Sequence, residues 1–234
     1  MSRIILIETS TSLCSAAVVI DGKIAASREC STPRAHAAMT TPIIKEVLDE
    51  CGMLTSDCDA VCVSAGPGSY TGLRVGVSTA KGLCFATGIP LLSVNTLEVL
   101  AWQAIESRLI PEGCSTIIPM VDARRMEVYT AVYDLNVTQK SEIEAKVIDG
   151  SSFADLLENG PVLFIGDGAA KCSSVINSPN AHFIQTPPHA TAMLKPALRE
   201  FEAGNFRDMA YFEPFYLKQF VATTSKKNVL GIDR

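Results

Sequence analysis

The sequence is short of several things that would announce a function. Only three of its 234 residues are histidine, 6% are aromatic and one is tryptophan. His36, His182 and His189 are widely separated and make no i, i+4 pair, so they supply no helical metal site. No Ser-His-Asp or Cys-His constellation assembles around them, and no catalytic residue is assigned. They read as surface or helix-end groups. Among eight cysteines none forms a C-x-x-C pair, which argues against a metal knuckle. The cysteines are expected to be small buried hydrophobes in a reducing compartment.

Positive charge is also scarce. Twenty Lys and Arg face twenty-five Asp and Glu, giving a net charge of −5 and a pI near 5.3. A chain without a basic stripe is expected to meet nucleic acid only through a more basic partner. No apolar run approaches the ~18 residues of a membrane span. The opening "MSRIILIETS" lacks the long apolar stretch and cleavage site of a signal peptide. The expectation is a soluble, cytoplasmic protein with no membrane contact.

The two common phosphate fingerprints are incomplete. The stretch "SAGPGSYTGLRVGVSTAKG" spans residues 64–82. A P-loop needs G-x-x-x-x-G-K-[ST]; here Lys81 stands far into the following helix and precedes Gly82. A dinucleotide fingerprint needs G-x-G-x-x-G; Gly66 and Gly68 fill two places, but Thr71 holds the third. Two readings remain open for this turn. It offers amides to an anion at a helix N-terminus, with Ser69 beside it, or it only reverses the chain from strand to helix.

What is present is regular. "RIILIETS" reads as a buried strand, and Asp21-Gly22 signals a hairpin, so the first thirty or so residues form a three-strand meander. A helix follows, with Ala35, Met39, Ile43 and Val47 on one face, Thr32 as cap, Gly52 as end and Pro42 as a kink. "DAVCVSAGPG" is a strand entering the glycine turn, and "TGLRVGVSTAKGLCFATG" is helical to Gly88. "PLLSVN" is a strand, and "TLEVLAWQAIESRL" a helix capped by Thr96.

Near residue 115 the pattern begins again. "STIIPMVDARRMEVYTAVYD" gives a strand, an acid and a strand; "PVLFIGDGAAKCSSVI" repeats the strand, glycine turn and helix. Ile7-Glu8 parallels Val121-Asp122, and "SAGPGS" parallels "IGDGAA". Order and kind match, which predicts two related α/β lobes, each a mixed sheet with helices, divided as 1–105 and 106–234. The C-terminal "KQFVATTSKKNVLGIDR" reads as a polar tail.

Two features invite chemistry. Gly72, Gly76 and Ala80 recur every four residues on one helical stripe, although glycine inside a helix costs about 0.5–1 kcal/mol against alanine. The stripe admits a close backbone, either the chain's own sheet or a helix of another subunit. Leu73, Val77 and Cys84 lie on a neighbouring stripe suited to the sheet. Glu8, with Thr9 and Ser10, and Asp122 in the second half stand at strand ends. They would hold a hydrated magnesium ion or simply face solvent.

"IETSTSLCSAAV", "RAHAAMTTPIIKEVL", "GPGSYTGLRVGVSTAKGL", "GIPLLSVNTLEVLA" and "VDARRMEVY" together resemble the bacterial TsaB (YeaZ) family, densely over the first ~135 residues and loosely thereafter through "EPFYLK". The resemblance implies two ribonuclease-H-like lobes of the actin, sugar-kinase and Hsp70-like superfamily. It implies a role in forming N6-threonylcarbamoyladenosine (t6A) on tRNA, as a non-catalytic scaffold for a TsaD-type transferase, with a TsaE-type small ATPase and a homodimer as further associations. The tRNA is then met only through the complex. The family's docking surface lies on the first two long helices, here about 33–51 and 71–87, with His36, Met39, Ile43, Gly72, Val75, Gly76, Thr79 and Ala80 as interface residues.

The sister transferase carries His-x-x-x-His on the helix after "IPLLSVN"; Thr96 and Leu100 hold those places here, so no metal is expected. No cofactor is assigned; ATP or ADP with magnesium, were one to bind between the lobes or at the partner interface, would be held by Glu8, Thr9, Ser10, Gly66, Gly68, Ser69 and Asp122. The alternatives are an autonomous ATP-dependent phosphotransferase or ATPase, and a metallopeptidase, which lacks ligands. Many family members have Asp at the place of Glu8 and Ser-Glu where Ala37-Ala38 stand, which makes the first helix here more apolar.

Overall fold

The computed structural model describes residues 2–218. Three strands open the chain: β1 (Arg3–Glu8), β2 (Cys14–Ile20) and β3 (Lys23–Cys30), each antiparallel to the next. The β2–β3 turn puts Asp21 and Gly22 at φ 49° and 74°, the left-handed geometry that suits tight hairpins. Helix α1 (His36–Glu50) follows. Ala35 rather than Thr32 is its N-cap and makes no side-chain cap bond, while Gly52 closes the other end in left-handed backbone just past the C-cap Cys51. Pro42 lies inside α1 on its exposed side.

Strand β4 (Ala60–Ser64) leads through the glycine turn into α2 (Tyr70–Thr87), which Ser69 caps by accepting from the Gly72 amide and Gly88 ends at φ 76°. Strand β5 (Leu91–Val94) and helix α3 (Thr96–Glu106) complete this half. Here Asn95, not Thr96, is the cap: its side chain accepts from the Leu97 amide. The first sheet has the order β3-β2-β1-β4-β5, with β4 parallel to both β1 and β5.

The second half contains β6 (Thr116–Asp122), β7 (Glu127–Thr130), β8 (Tyr133–Asp134), β9 (Glu144–Val147), α4 (Ala154–Glu158), β10 (Val162–Gly166), α5 (Ala169–Cys172), β11 (Ala181–Gln185) and α6 (Leu194–Glu202). Its sheet runs β11-β10-β6-β7-β9, with β8 also on β6. Read from the other edge this is the first sheet again. Strand β6 corresponds to β1, β7 to β2, β9 to β3, β10 to β4 and β11 to β5, with the same strand directions throughout. Each half is therefore a ribonuclease-H-like lobe, and the paired motifs of the sequence occupy paired places.

Strand β1 is apolar at every inner position because both of its faces are covered. Ile5 and Ile7 pack under α1 and α2 with Ile43, Ile44, Val47 and Val77. Ile4 and Leu6 face the other way, onto Val99, Met193 and Ala197. Helix α3 bridges the sheets: Val99 meets the first, while Leu97, Leu100, Ala101 and Ala104 pack on Ile117, Val121, Leu163 and Ile165 of the second.

A cut at residue 105 therefore does not separate two independent lobes. Residues 190–202 also return to the first sheet, burying Ala190, Ala192, Met193 and Ala197 against it. An ion-pair cluster fastens the return: Arg199 holds Glu98 of α3 and Glu200, and Arg207 reaches Glu200 and Ser93 of β5. The eight cysteines are free, all but Cys30 and Cys51 fully buried. Most of the sequence's polar tail lies outside the described residues; Lys218, the last one described, pairs with Glu127. Among the described residues no helix is long and apolar enough to cross a membrane.

Candidate functional site

Strand β1 ends at Glu8, and Thr9 and Ser10 follow it into the chain's interior. All three are fully buried. The Ser10 amide donates to Glu8 Oε1 at 2.6 Å, while Glu8 Oε2 has no hydrogen-bond partner among the described residues. Burial pushes the Glu8 carboxyl up to about 7; Ser10 and the Ser64 hydroxyl oppose that rise, and Asp167 adds a little to it. The hydroxyls of Ser10, Thr11, Ser64 and Thr96 are buried too, and none makes a well-formed hydrogen bond among the described residues. The solvent-facing reading fails for Glu8 because the glycine turn seals this strand end. The Ser69 amide donates to Ser10 O at 2.6 Å, and a Cβ on Gly68 would lie 2.3 Å from that same oxygen.

Asp122, its counterpart, does face solvent. It accepts from the Arg124 amide at 2.7 Å and forms an ion pair with Lys171. The structure does not place Glu8 and Asp122 together directly. Asp167 stands between their roles: its Oδ1 accepts from the Asp122 amide at 2.9 Å, and its charge is felt at Glu8. Burial raises Asp167 to about 6, with Asp122 adding to the rise. Sequence reasoning passed over Asp167. The signal was available, since aligning Gly66-Pro67-Gly68 with Gly166-Asp167-Gly168 puts an acid where the first lobe has proline.

This centre is poor at chemistry. Thr9 spends its hydroxyl on Gly72 O, at 2.9 Å, and Ser69 spends its own on the helix cap. A cavity of about 360 Å³ lies instead between β2, β3 and the returning segment, lined by Ser15, Arg28, Glu29 and His189. A smaller one, about 190 Å³, lies beside α4. Neither touches Glu8, Gly68 or Asp122. Among the described residues no three His, Cys, Asp or Glu side chains gather to hold a metal ion. The Thr9 and Ser69 hydroxyls are committed to backbone and Asp122 to Lys171, a set that does not fit a magnesium-bound phosphate, so no reaction step is derived through a nucleotide here.

The glycine stripe has an internal explanation. A Cβ on Gly72 would come within 2.1 Å of Thr9 O, and one on Gly76 within 2.2 Å of Thr9 Oγ1. Gly72, Gly76, Ala80 and Ile43 are all buried in the chain's own first lobe. Assigning these four to a partner surface is corrected on that ground: bare backbone lets α2 lie against the end of β1. A large side chain at Gly76 would disturb the lobe before it reported on any partner. His36 is tied through its Nε2 to Thr11 O at 2.9 Å, and Met39 packs on the core from its edge.

Half-buried Val75 and Thr79 remain on the outer side of α2, with exposed Thr71, Arg74, Ser78, Gly82 and Phe85 around them. Phe85 is 82% exposed. Helix α1 adds exposed Ala37, Ala38, Thr41 and Pro42. Thr96 and Leu100, which take the histidine places of the sister family, are fully buried, Leu100 within the apolar packing of α3 on the second sheet.

Residues 29–224 match the family model described as TsaD, tRNA N6-adenosine threonylcarbamoyltransferase. The chain is 30% identical to the tRNA threonylcarbamoyladenosine biosynthesis protein TsaB of Escherichia coli K12, over 94% of this chain and 96% of that one. A tRNA N6-adenosine threonylcarbamoyltransferase of Anaeromyxobacter dehalogenans is 39% identical over 42% of this chain and 34% of its own. The solved structure of YeaZ from Pseudomonas aeruginosa superposes with a TM-score of 0.80 at 28% identity, covering 93% of this chain and all of that one. Near full-length likeness to these proteins, on the same doubled fold, settles the family: the chain belongs to the TsaB (YeaZ) family.

Proposed function

We propose that this chain is a non-catalytic scaffold in the formation of t6A on tRNA, docking a TsaD-type transferase through the outer faces of α1 and α2. The carrying observation is the outer side of α2. Val75, Thr79 and Phe85 are not consumed by the chain's own core, and the adjacent α1 face is built from alanine, threonine and proline. Small side chains let helices approach closely, and an exposed aromatic adds area at low conformational cost.

The state of Glu8 supports the same reading. Its carboxyl is fully buried beneath the glycine turn, with Oε1 already accepting from the Ser10 amide, which disfavours the autonomous ATPase that would use it. Tied to a homologous transferase, the chain contributes surface rather than chemistry. The TsaE-type ATPase and the tRNA join through the assembly, in keeping with a net charge of −5.

The test is co-purification with a TsaD-type subunit, followed by transfer assays omitting each subunit in turn. Transfer should require both proteins, and the lone chain should have none. Val75→Arg and Thr79→Arg, at half-exposed positions, should cut association at least tenfold without lowering the melting temperature of the lone chain. Association unaffected by both variants would remove the docking face.

A further inference from the structure

The hairpin between β6 and β7 carries two consecutive residues with left-handed backbone, and both are arginine: Arg124 at φ 69° and Arg125 at φ 52°. Side chains other than Gly, Asn or Asp are uncommon there, because the Cβ crowds the backbone. The turn is nonetheless closed by short bonds, with the Ala123 amide on Glu127 O at 3.0 Å and the Glu127 amide on Arg124 O at 3.2 Å. Both arginines are exposed. The nearby acids are already engaged, Asp122 by Lys171 and Glu127 by Lys218. Among the described residues neither guanidinium has an ion pair.

The hairpin tip between the paired acids Asp122 and Glu127, Ala123 to Met126, carries two positive charges and no negative one. The corresponding loop of the first lobe, Thr9 to Leu13 after β1, carries no charge and is almost wholly buried. The duplicated fold thus has one sealed, neutral hairpin and one exposed, cationic hairpin held in a conformation its residues do not favour. Unfavourable backbone persists where the side chain is needed for something other than stability.

We infer that the Arg124–Arg125 hairpin is a contact for the phosphate backbone of RNA, engaged when the assembly binds tRNA. Guanidinium groups with no ion pair of their own suit phosphate oxygens and carry no base specificity. The inference rests on the scaffold reading, which brings RNA to the complex, and adds a residue-level contact to it.

The test uses the complete complex and fluorescently labelled tRNA, titrated at several salt concentrations. Arg124→Ala/Arg125→Ala should weaken tRNA binding about tenfold or more and flatten the salt dependence by about one to two in log–log slope. Arg124→Lys/Arg125→Lys should keep most of both. Arg124→Asn/Arg125→Gly should weaken binding equally, yet raise the melting temperature of the isolated chain by several degrees, since these residues suit the backbone.

Unchanged tRNA affinity and slope in an assembled, active complex would overturn the contact while leaving the scaffold reading intact. Loss of subunit assembly in place of tRNA binding would also overturn it, reassigning the hairpin to an acidic protein surface. So would weakened binding of free ATP with unaltered tRNA binding. If the wild-type subunits fail to assemble at all, the scaffold reading itself is what fails.

Discussion

Thr9 and Gly76 are mutually exclusive with any added side chain: the Thr9 hydroxyl lies 2.2 Å from where a Cβ of residue 76 would stand, and it donates to Gly72 O at 2.9 Å. One threonine at the end of β1 therefore fixes the seat of α2, four residues of helix at a time. Helix α2 carries the outer face assigned to docking, so the position of that face follows from a contact on its hidden side.

Substitution at the two glycines should reveal this seat. Gly72→Ala places its Cβ against Thr9 backbone, which cannot move without shifting β1, and should cost about 2–4 kcal/mol despite alanine's better helix propensity. Gly76→Ala meets a side-chain oxygen and should cost less, about 1–2 kcal/mol. Thr9→Ala should rescue most of the Gly76→Ala loss and little of the Gly72→Ala loss. Denaturant titration of the singles and the two doubles checks the pattern. No rescue of Gly76→Ala would mean that the Thr9 side chain does not set the seat of the helix.

The Glu8 carboxyl makes stability depend on pH. Its folded value of about 7 lies above the ordinary 4.5, so between those values the native state holds a proton that the unfolded chain has released. Its contribution is complete below about 4.5 and is lost as pH rises through 7. The loss amounts to as much as ~3 kcal/mol, at about 1.4 kcal/mol per pH unit. Asp167, raised to about 6 from 3.8, acts with the same sign over a lower range. Glu8→Gln should flatten the stability profile between pH 5 and pH 7.5 relative to wild type. Parallel profiles for the two proteins would show that Glu8 is charged in the folded state.

The return of α6 depends on Arg199, whose guanidinium bridges Glu98 of α3 and Glu200. More than half of the Arg199 side chain is exposed, so screening limits its worth. Arg199→Ala should cost about 1–2 kcal/mol, chiefly by leaving the nearly buried Glu200 with the Asn205 side-chain amide at 3.2 Å and Arg207 at 3.5 Å. Hydrogen exchange should then quicken at Arg207, whose amide donates to Leu91 O at the edge strand β5. Unaltered protection there would show that apolar packing of Met193 and Ala197 alone holds the return.

Much of the lobe architecture was legible because it is local. The Asp21-Gly22 turn, the strand runs around Ile5, Val61 and Phe164, and the closing glycines Gly52 and Gly88 act within a few residues. The duplication was legible too, since Gly66-Pro67-Gly68 and Gly166-Asp167-Gly168 stand at equal places in each repeat. The caps were less so: Thr32 and Thr96 have suitable chemistry, but the chain enters each helix at Ala35 and Asn95. The candidate site was named in residues and misjudged in environment. Glu8 has the same local setting as Asp122, an acid closing an apolar strand, yet only Glu8 is covered by a turn brought from residues 66–69.

The sequence by itself determined the elements, their repetition and the family, because periodicity, turn residues and specific motifs are properties of neighbouring positions. The tertiary structure decided which side of α2 is used internally, that Glu8 is sealed while Asp122 is wet, and that residues 190–202 belong to the first sheet. Those outcomes depend on contacts between residues far apart along the chain, Thr9 with Gly72 and Ile4 with Met193 among them. Burial is set by what arrives from elsewhere, and no local pattern encodes that arrival.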